Sequence, residues 1–130
     1  MTKEWYIQNG FELSPLIETA VIERAEREVN SAYIIPIIGQ PQTESDAVKY
    51  ARGSLAFLLM LQRTIFATRA GAKVKNGYNS MDAEAWNKLS QTATTCHLAL
   101  EALRKEPQAN KEAEITDVCK IYFKTNFISL

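Results

Sequence analysis

The chain has 130 residues, of which 46% are hydrophobic and 23% are charged, the proportions of an ordinary globular domain long enough to bury a core. Its longest unbroken apolar run, residues 55–61, is far shorter than the ~20 residues of a membrane-spanning helix, and the N-terminus lacks the apolar stretch of a secretory signal. The formal net charge is zero, and we expect a soluble, cytoplasmic protein of one domain with no membrane partner.

Residues 1–13 are too aromatic for a disordered tail and too few for a domain. We interpret them as an extended arm or a small strand pair that packs on another surface. The candidate docking side chains of this arm are Trp5, Tyr6 and Phe11.

The first helix is predicted over residues 15–33. Ser14 and Pro15 supply an N-cap followed by a proline at the first helical position. An apolar stripe continues from there at helical spacing. Its members are Leu16, Ile17, Ala20, Val21, Ala25, Val29 and Ala32.

The segment that follows, YIIPIIGQPQ, combines four isoleucines with two prolines. Pro36 and Pro41 argue against a continuous helix, whereas the isoleucines require burial. The sequence therefore predicts a short apolar segment and then a loop, with Ser45 or Asp46 as the N-cap of the next helix.

The second helix is predicted over residues 46–70, and its middle is apolar on most sides and hence buried. Gly53 lowers the helix propensity there by about 1 kcal/mol relative to alanine, so we expect close packing or a kink at this position. Gly71 is placed to end the helix.

Two more helices complete the predicted fold. The third covers residues 81–105 and stops at Glu106-Pro107, and a weaker fourth helix covers residues 112–124. The apolar tail NFISL follows, in which Phe127 and Ile128 are candidate docking residues. The fold class is mainly α, a bundle of about four helices.

A short break separates the second and third helices and reads RAGAKVKNGYNS. Residues 72–75 alternate between apolar and basic, and Asn76-Gly77 is a pair typical of tight turns. We therefore predict a β-ribbon-like interruption of the bundle at this point.

Acidic and basic residues are separated along the chain. Residues 1–46 hold eight acids and three bases, a net charge of −5, whereas residues 47–81 hold six bases and no acid, a net charge of +6. Residues 82–130 hold seven acids and six bases. A basic middle and an acidic front can pair within one molecule, between copies, or with an outside polyanion.

No sequence pattern indicates catalysis, a cofactor or a metal site. His97 is the only histidine, and it does not share a helix face with its neighbour Cys96. The sequence lacks the phosphate-binding, dinucleotide-binding, zinc-protease and serine-hydrolase motifs. We interpret Cys96 and Cys119 as reduced thiols within helices. We therefore expect that the protein is not an enzyme.

Sequence-specific nucleic-acid binding is not indicated either. Tyr78 is the only aromatic residue near Lys73 and Lys75, and the long helices do not fit a helix-turn-helix. Two interpretations of Arg69, Lys73 and Lys75 stay open: non-specific contact with a DNA backbone, or simple solvation of a loop.

The order of these elements resembles the small helical head–tail connector (adaptor or head-completion) proteins of tailed bacteriophages and prophages. SAYIIPIIG after the first helix is similar to that family's I-x-P-I/L-I/L-G. FATRAGAKVKNGYNSMDAEAW is similar to its T-R-x-G-x-x-x-K…S break before the next helix. Together, the motifs and the order of elements cover most of the chain.

The resemblance implies a structural, non-catalytic protein that forms or joins a ring at the portal and ends up in the virion. The break would then be an assembly loop that reaches a neighbouring copy, a portal or tail-completion protein, or DNA in the channel. Its candidate residues are Arg69, Lys73, Lys75, Asn76, Gly77 and Tyr78. The apolar arm and tail would dock on adjacent subunits. The alternative is a cytosolic helical-bundle protein with an interaction or regulatory role outside the virion.

Overall fold

The computed structural model describes residues 1–40, 44–72 and 82–115. In chain order its elements are α1 (Lys3–Gln8), α2 (Thr19–Val29), a π-helical turn (Asn30–Ile34), α3 (Ile35–Ile38), α4 (Asp46–Ala72) and α5 (Asp82–Arg104). This part of the chain is mainly helical and contains no strand, which confirms the predicted fold class at that level.

Two predicted elements fall wholly or partly outside the described residues. The β-ribbon-like break is predicted over residues 70–80; residues 70–72 instead belong to α4, and the remainder lies outside the described residues and stays a prediction. Of the predicted fourth helix, residues 112–115 are not helical, so its predicted start is wrong. The remainder of that helix, together with Phe127 and Ile128, lies beyond the described part of the chain.

The prediction of an extended arm is wrong, because the N-terminal segment forms helix α1. Thr2 is its N-cap, and the Thr2 hydroxyl oxygen accepts a hydrogen bond from the Trp5 backbone N–H at 3.1 Å. Glu4 lies in the first turn, where the helix dipole favours a carboxylate. Gly10, with a φ of 87°, then turns the chain away from the helix axis.

Helix α2 begins at Thr19, four residues later than predicted. Ser14 does not cap this helix; its hydroxyl oxygen instead accepts a hydrogen bond from the Leu16 backbone N–H at 3.2 Å and closes a separate turn. The chain then stays helical beyond the predicted end, through the π-helical turn and α3 as far as Ile38.

The prediction that Pro36 interrupts the helical path is also wrong. The Ile35 backbone N–H donates to the Asn30 carbonyl, five residues back, so the turn before the proline is wider than an α-helical turn. We attribute the tolerance of Pro36 to this widening, because a proline ring otherwise clashes with the carbonyl four residues before it. The predicted burial of this segment is confirmed at Ile34, Ile37 and Ile38.

Helices α4 and α5 form the long hairpin of the fold. Ser45 caps α4, as predicted, and its hydroxyl oxygen accepts a hydrogen bond from the Val48 backbone N–H at 3.3 Å. The same hydroxyl donates to the Glu106 carboxylate just beyond α5, so the start of α4 lies beside the end of α5 and the helices run antiparallel. Helix α4 passes through Gly71 and ends at Ala72, so Gly71 does not terminate it.

The core lies between the hairpin and the N-terminal helices. Its largest fully buried hydrophobic side chains are Tyr6, Ile22, Ile34, Val48, Leu89, Leu100 and Leu103. The predicted burial of residues 55–61 is confirmed, since every one of them is buried or half-buried. Gly53 lies directly against the Trp5 indole ring, which confirms the predicted close packing at that glycine.

The inner face of α2 differs from the predicted apolar stripe. Its buried residues are Ile22, Ala25, Glu26 and Val29. Leu16 and Val21 are 89% and 42% exposed. The burial of Glu26 is compensated because its carboxylate accepts hydrogen bonds from the Tyr6 hydroxyl and the Met1 amine.

Candidate functional site

The predicted assembly loop lies mostly outside the described residues. The backbone of Arg69 is part of α4. The other candidate loop residues fall on the part of the chain that is not described: Lys73, Lys75, Asn76, Gly77 and Tyr78. A role of this loop in assembly therefore stays a prediction.

The candidate docking side chains of the N-terminal segment contact the core of their own chain. Tyr6 is fully buried and Phe11 is 7% exposed. Trp5 stacks on Phe11 with ring centroids 6.1 Å apart, and Phe11 in turn contacts Tyr50 and Phe57 of α4 at 5.8 and 5.2 Å. Docking on a neighbouring subunit would require this aromatic cluster to leave the core.

Among the basic residues of the middle segment whose side chains the structure describes, Arg52 and Arg63 pair with acidic residues of the same molecule. Arg52 donates to both carboxylate oxygens of Glu44, at 2.7 and 2.5 Å, and to the Asn30 side-chain oxygen at 3.2 Å. Arg63 donates to Glu28 of α2 at 2.6 Å. Pairing within one molecule, one of the three alternatives that the charge distribution left open, is therefore realised at these two arginines.

The bidentate pair of Glu44 and Arg52 joins the residues before α4 to the helix itself. The hydrogen bond from Arg52 lowers the pKa of the Glu44 carboxyl below its ordinary value, and the bond to Glu44 raises the pKa of Arg52. A bidentate contact fixes both the distance and the orientation of its partners.

Acidification is expected to remove the stabilisation from this pair. Because the pKa of Glu44 is lower in the folded state, the contribution is present above the ordinary glutamate pKa of about 4.3 and is lost as pH falls toward the folded value. Urea unfolding should show Glu44→Gln less stable than the wild type at neutral pH, by at most about 1 kcal/mol because the carboxylate is 34% exposed. The difference should shrink below about pH 4. A difference that stays constant during acidification would contradict this assignment.

A buried carboxylate joins α1 to α2. Glu26 accepts a hydrogen bond from the Tyr6 hydroxyl at 2.7 Å and two from the Met1 amine at 2.9 and 3.1 Å. Burial, reinforced by the bond to Glu26, raises the pKa of Tyr6, so the phenol remains protonated and continues to donate. These contacts compensate the charge of Glu26 and hold α1 in place.

A groove of about 720 Å³ lies between the turn after α1 and the α4–α5 hairpin. Aromatic residues from α4 line it, and the opposite wall is the polar face of α5. The residues of that wall include Asn87, Gln91, Thr92 and Thr95. Lys88 and Glu12 also line the groove, and they form an ion pair at 3.0 Å. Amide and hydroxyl groups of this kind can form hydrogen bonds with a peptide backbone, so the groove has the chemistry to bind a polypeptide segment.

A second, apolar cleft of about 200 Å³ lies between the end of α2 and α4. Gln62 lines it, is 6% exposed, and has a side-chain Nε2 without a hydrogen-bond partner. The sequence interpretation missed this site. A signal was present, because Gln62 directly follows the apolar run of α4 and shares a helix face with Leu55, Leu58 and Leu59, which also line the cleft.

The described residues contain no assembled metal site. His97 lies 3.1 Å from Glu101 on its own helix, and Cys96 is buried. Within the three described ranges, no group of three His, Cys, Asp or Glu side chains is placed to hold a metal ion. None of the helices in those ranges is long and apolar enough to cross a membrane.

Neither the protein-family models, nor the curated proteins, nor the solved structures compared with this chain match it. The likeness to head–tail connectors therefore rests on two short motifs and on the order of the helices.

Proposed function

We propose that this protein is a head–tail connector of a tailed phage or prophage, a structural subunit that forms or joins a ring at the portal. The observation that carries the proposal is the position of the two motifs around α4. SAYIIPIIG lies in the helical run before this helix, and TRAGAKVKNGYNS begins in its last turns. The order of helix, motif, long helix, motif and helix is the one that the resemblance implies.

The surface properties support a protein that acts by assembly. Ile7, Leu16 and Leu98 are 61%, 89% and 58% exposed, although the chain buries an extensive core of its own. Burial of such side chains against another molecule contributes roughly 25 cal/mol per Å² of apolar surface. The groove beside α5 offers a second, more polar surface for a portal or tail-completion protein.

In the proposed ring, the segment after α4 is the assembly loop. Arg52 and Arg63 are paired within the molecule, and three of the other four bases of residues 47–81, Arg69, Lys73 and Lys75, belong by sequence to the end of α4 and the segment that follows it. We assign these residues to contact with a neighbouring copy, the portal or the DNA of the channel. Ionic contacts of this kind with a partner weaken as salt is added.

The proposal is tested by mixing the full chain with the portal protein encoded in the same genome and separating the mixture by size. We expect co-elution with the portal, and ring-shaped particles by negative-stain microscopy. A chain that binds neither the portal nor itself at high concentration would contradict the proposal. The remaining alternative would then be a cytosolic helical-bundle protein that binds other partners or regulates them.

A further inference from the structure

The amine of Met1 is part of a mostly buried ion pair. It lies 2.9 and 3.1 Å from the two carboxylate oxygens of Glu26, and each partner is only 11% exposed. The Tyr6 hydroxyl donates to the same carboxylate at 2.7 Å. A reactive amine is therefore one of the groups that join α1 to α2.

The side chain of Met1 fixes the same residue on a second helix. Its terminal methyl group lies 3.3 Å from the place that a Cβ atom on Gly53 of α4 would occupy, beside the Trp5 ring. The thioether chain is half-buried against the core. Because both the amine and the side chain are held, atoms added to the nitrogen have little room unless α1 moves.

The positive charge of this amine compensates the negative charge of Glu26. Two arginines line the same polar pocket as Glu26, but Arg52 donates to Glu44 and Arg27 is exposed to solvent. Among the described residues, Met1 is the cation that contacts the Glu26 carboxylate. Loss of its charge would leave a buried carboxylate with the neutral tyrosine hydroxyl as its donor, which is unfavourable.

We propose that the Met1 amine is a modification site that controls the docking of α1, so that acylation or extension at this nitrogen releases the helix. Transfer of an acetyl group from an activated ester forms an N–C amide bond and breaks the C–O bond of the ester. The ammonium group loses two protons, one to the leaving alcohol and one to solvent. The product is an uncharged amide with one N–H in place of three. Release of α1 exposes Trp5, Tyr6 and Phe11, the candidate docking residues of the N-terminal segment.

The reactivity of the amine tests its protection in the unaltered full chain. Acetylation with the N-hydroxysuccinimide ester of acetic acid, followed by mass spectrometry of the peptides, gives the rate at Met1 and at the exposed Lys105. Met1 should react at least about tenfold more slowly in the folded chain than in urea, because a buried group reacts only through local opening. Lys105, the internal reference, should react at similar rates in both conditions.

An extension of two residues, Gly-Ser, before Met1 tests the effect on α1, because it turns the amine into an uncharged peptide N–H. The extension should lower the urea midpoint of the wild type. In a Trp86→Phe background it should also shift the fluorescence of Trp5 to the red. The same extension should have little effect on Glu26→Gln, which lacks the buried charge. The matched control is Glu23→Gln on the exposed face of α2, in which the extension should act as in the wild type.

Two results would overturn the proposal. Met1 that reacts as fast in the folded chain as in urea is not protected by its contact with Glu26. An extension that leaves the urea midpoint unchanged, or lowers it equally in the wild type and in Glu26→Gln, does not act through the buried ion pair. In either case the Met1 amine does not control the docking of α1.

Discussion

Replacement of Gly53 by alanine is expected to lower the free energy of unfolding by about 1–3 kcal/mol. A Cβ atom at this position of α4 would overlap the Trp5 indole ring and lie 3.3 Å from the Met1 side chain. Helix propensity alone would favour alanine by about 1 kcal/mol, so the steric cost has to exceed that gain. If the ring moves away instead, its stacked contact with Phe11 is lost. Urea unfolding followed by circular dichroism measures the change.

The same substitution in a variant that lacks the Trp5 ring tests whether steric overlap causes the loss of stability. With Trp5→Ala the overlap disappears, and Gly53→Ala should then stabilise the protein by up to about 1 kcal/mol. In a Trp86→Phe background, a red shift of Trp5 fluorescence would report the detachment of α1 from α4. If Gly53→Ala stabilises the protein in both backgrounds, the Trp5 ring does not lie against Gly53 as described.

Removal of the Glu26 carboxylate is the second change with a large expected effect. Glu26→Ala should lower the free energy of unfolding by about 3–5 kcal/mol, because it leaves the Tyr6 hydroxyl and the Met1 amine without their acceptor in a mostly buried place. Tyr6→Phe keeps the ring in the core and removes one donor, so we expect a smaller loss of about 1–3 kcal/mol. Both changes are measured as shifts of the urea transition.

The control for Glu26 is another glutamate on the same helix. Glu23 is exposed, and Glu23→Ala should change the stability by no more than about 0.5 kcal/mol. The double variant Tyr6→Phe/Glu26→Ala should lose less stability than the sum of its single changes, since both remove the same contact. If Glu26→Ala costs no more than Glu23→Ala, this carboxylate does not hold α1 in place.

The long helices could be predicted from the sequence because their local signals are strong. The predicted range 46–70 corresponds to α4 at Asp46–Ala72, and the predicted range 81–105 corresponds to α5 at Asp82–Arg104. Apolar residues at helical spacing and a capping serine are properties of the local chain, so they can be recognised without the fold.

The short elements could not be predicted because contacts distant in the sequence stabilise them. Helix α1 has six residues, too few to be stable alone, and depends on the packing of Trp5 against α4 and on the bond between Tyr6 and Glu26. The π-helical turn that accommodates Pro36 has no local sequence signal. For the same reason the inward position of Glu26 could not be predicted, because apolar periodicity assigns polar residues to the outer face of a helix.

The candidate contact surfaces were partly visible in the sequence. The separated charges left three kinds of pairing open, and the structure shows one of them, pairing within the molecule, at Glu28 and Glu44. The exposure of Leu16 and the unpaired donor of Gln62 could not be recognised, because both depend on where α2 begins and how it packs on α4. The apolar periodicity assigned Leu16 to the core.

The central claim is that this chain assembles as a ring subunit, and native mass spectrometry of the full chain with its portal protein tests it most directly. We expect one dominant complex with a fixed whole number of copies. A chain that stays monomeric both alone and in the presence of the portal, at the highest soluble concentration, would contradict the account.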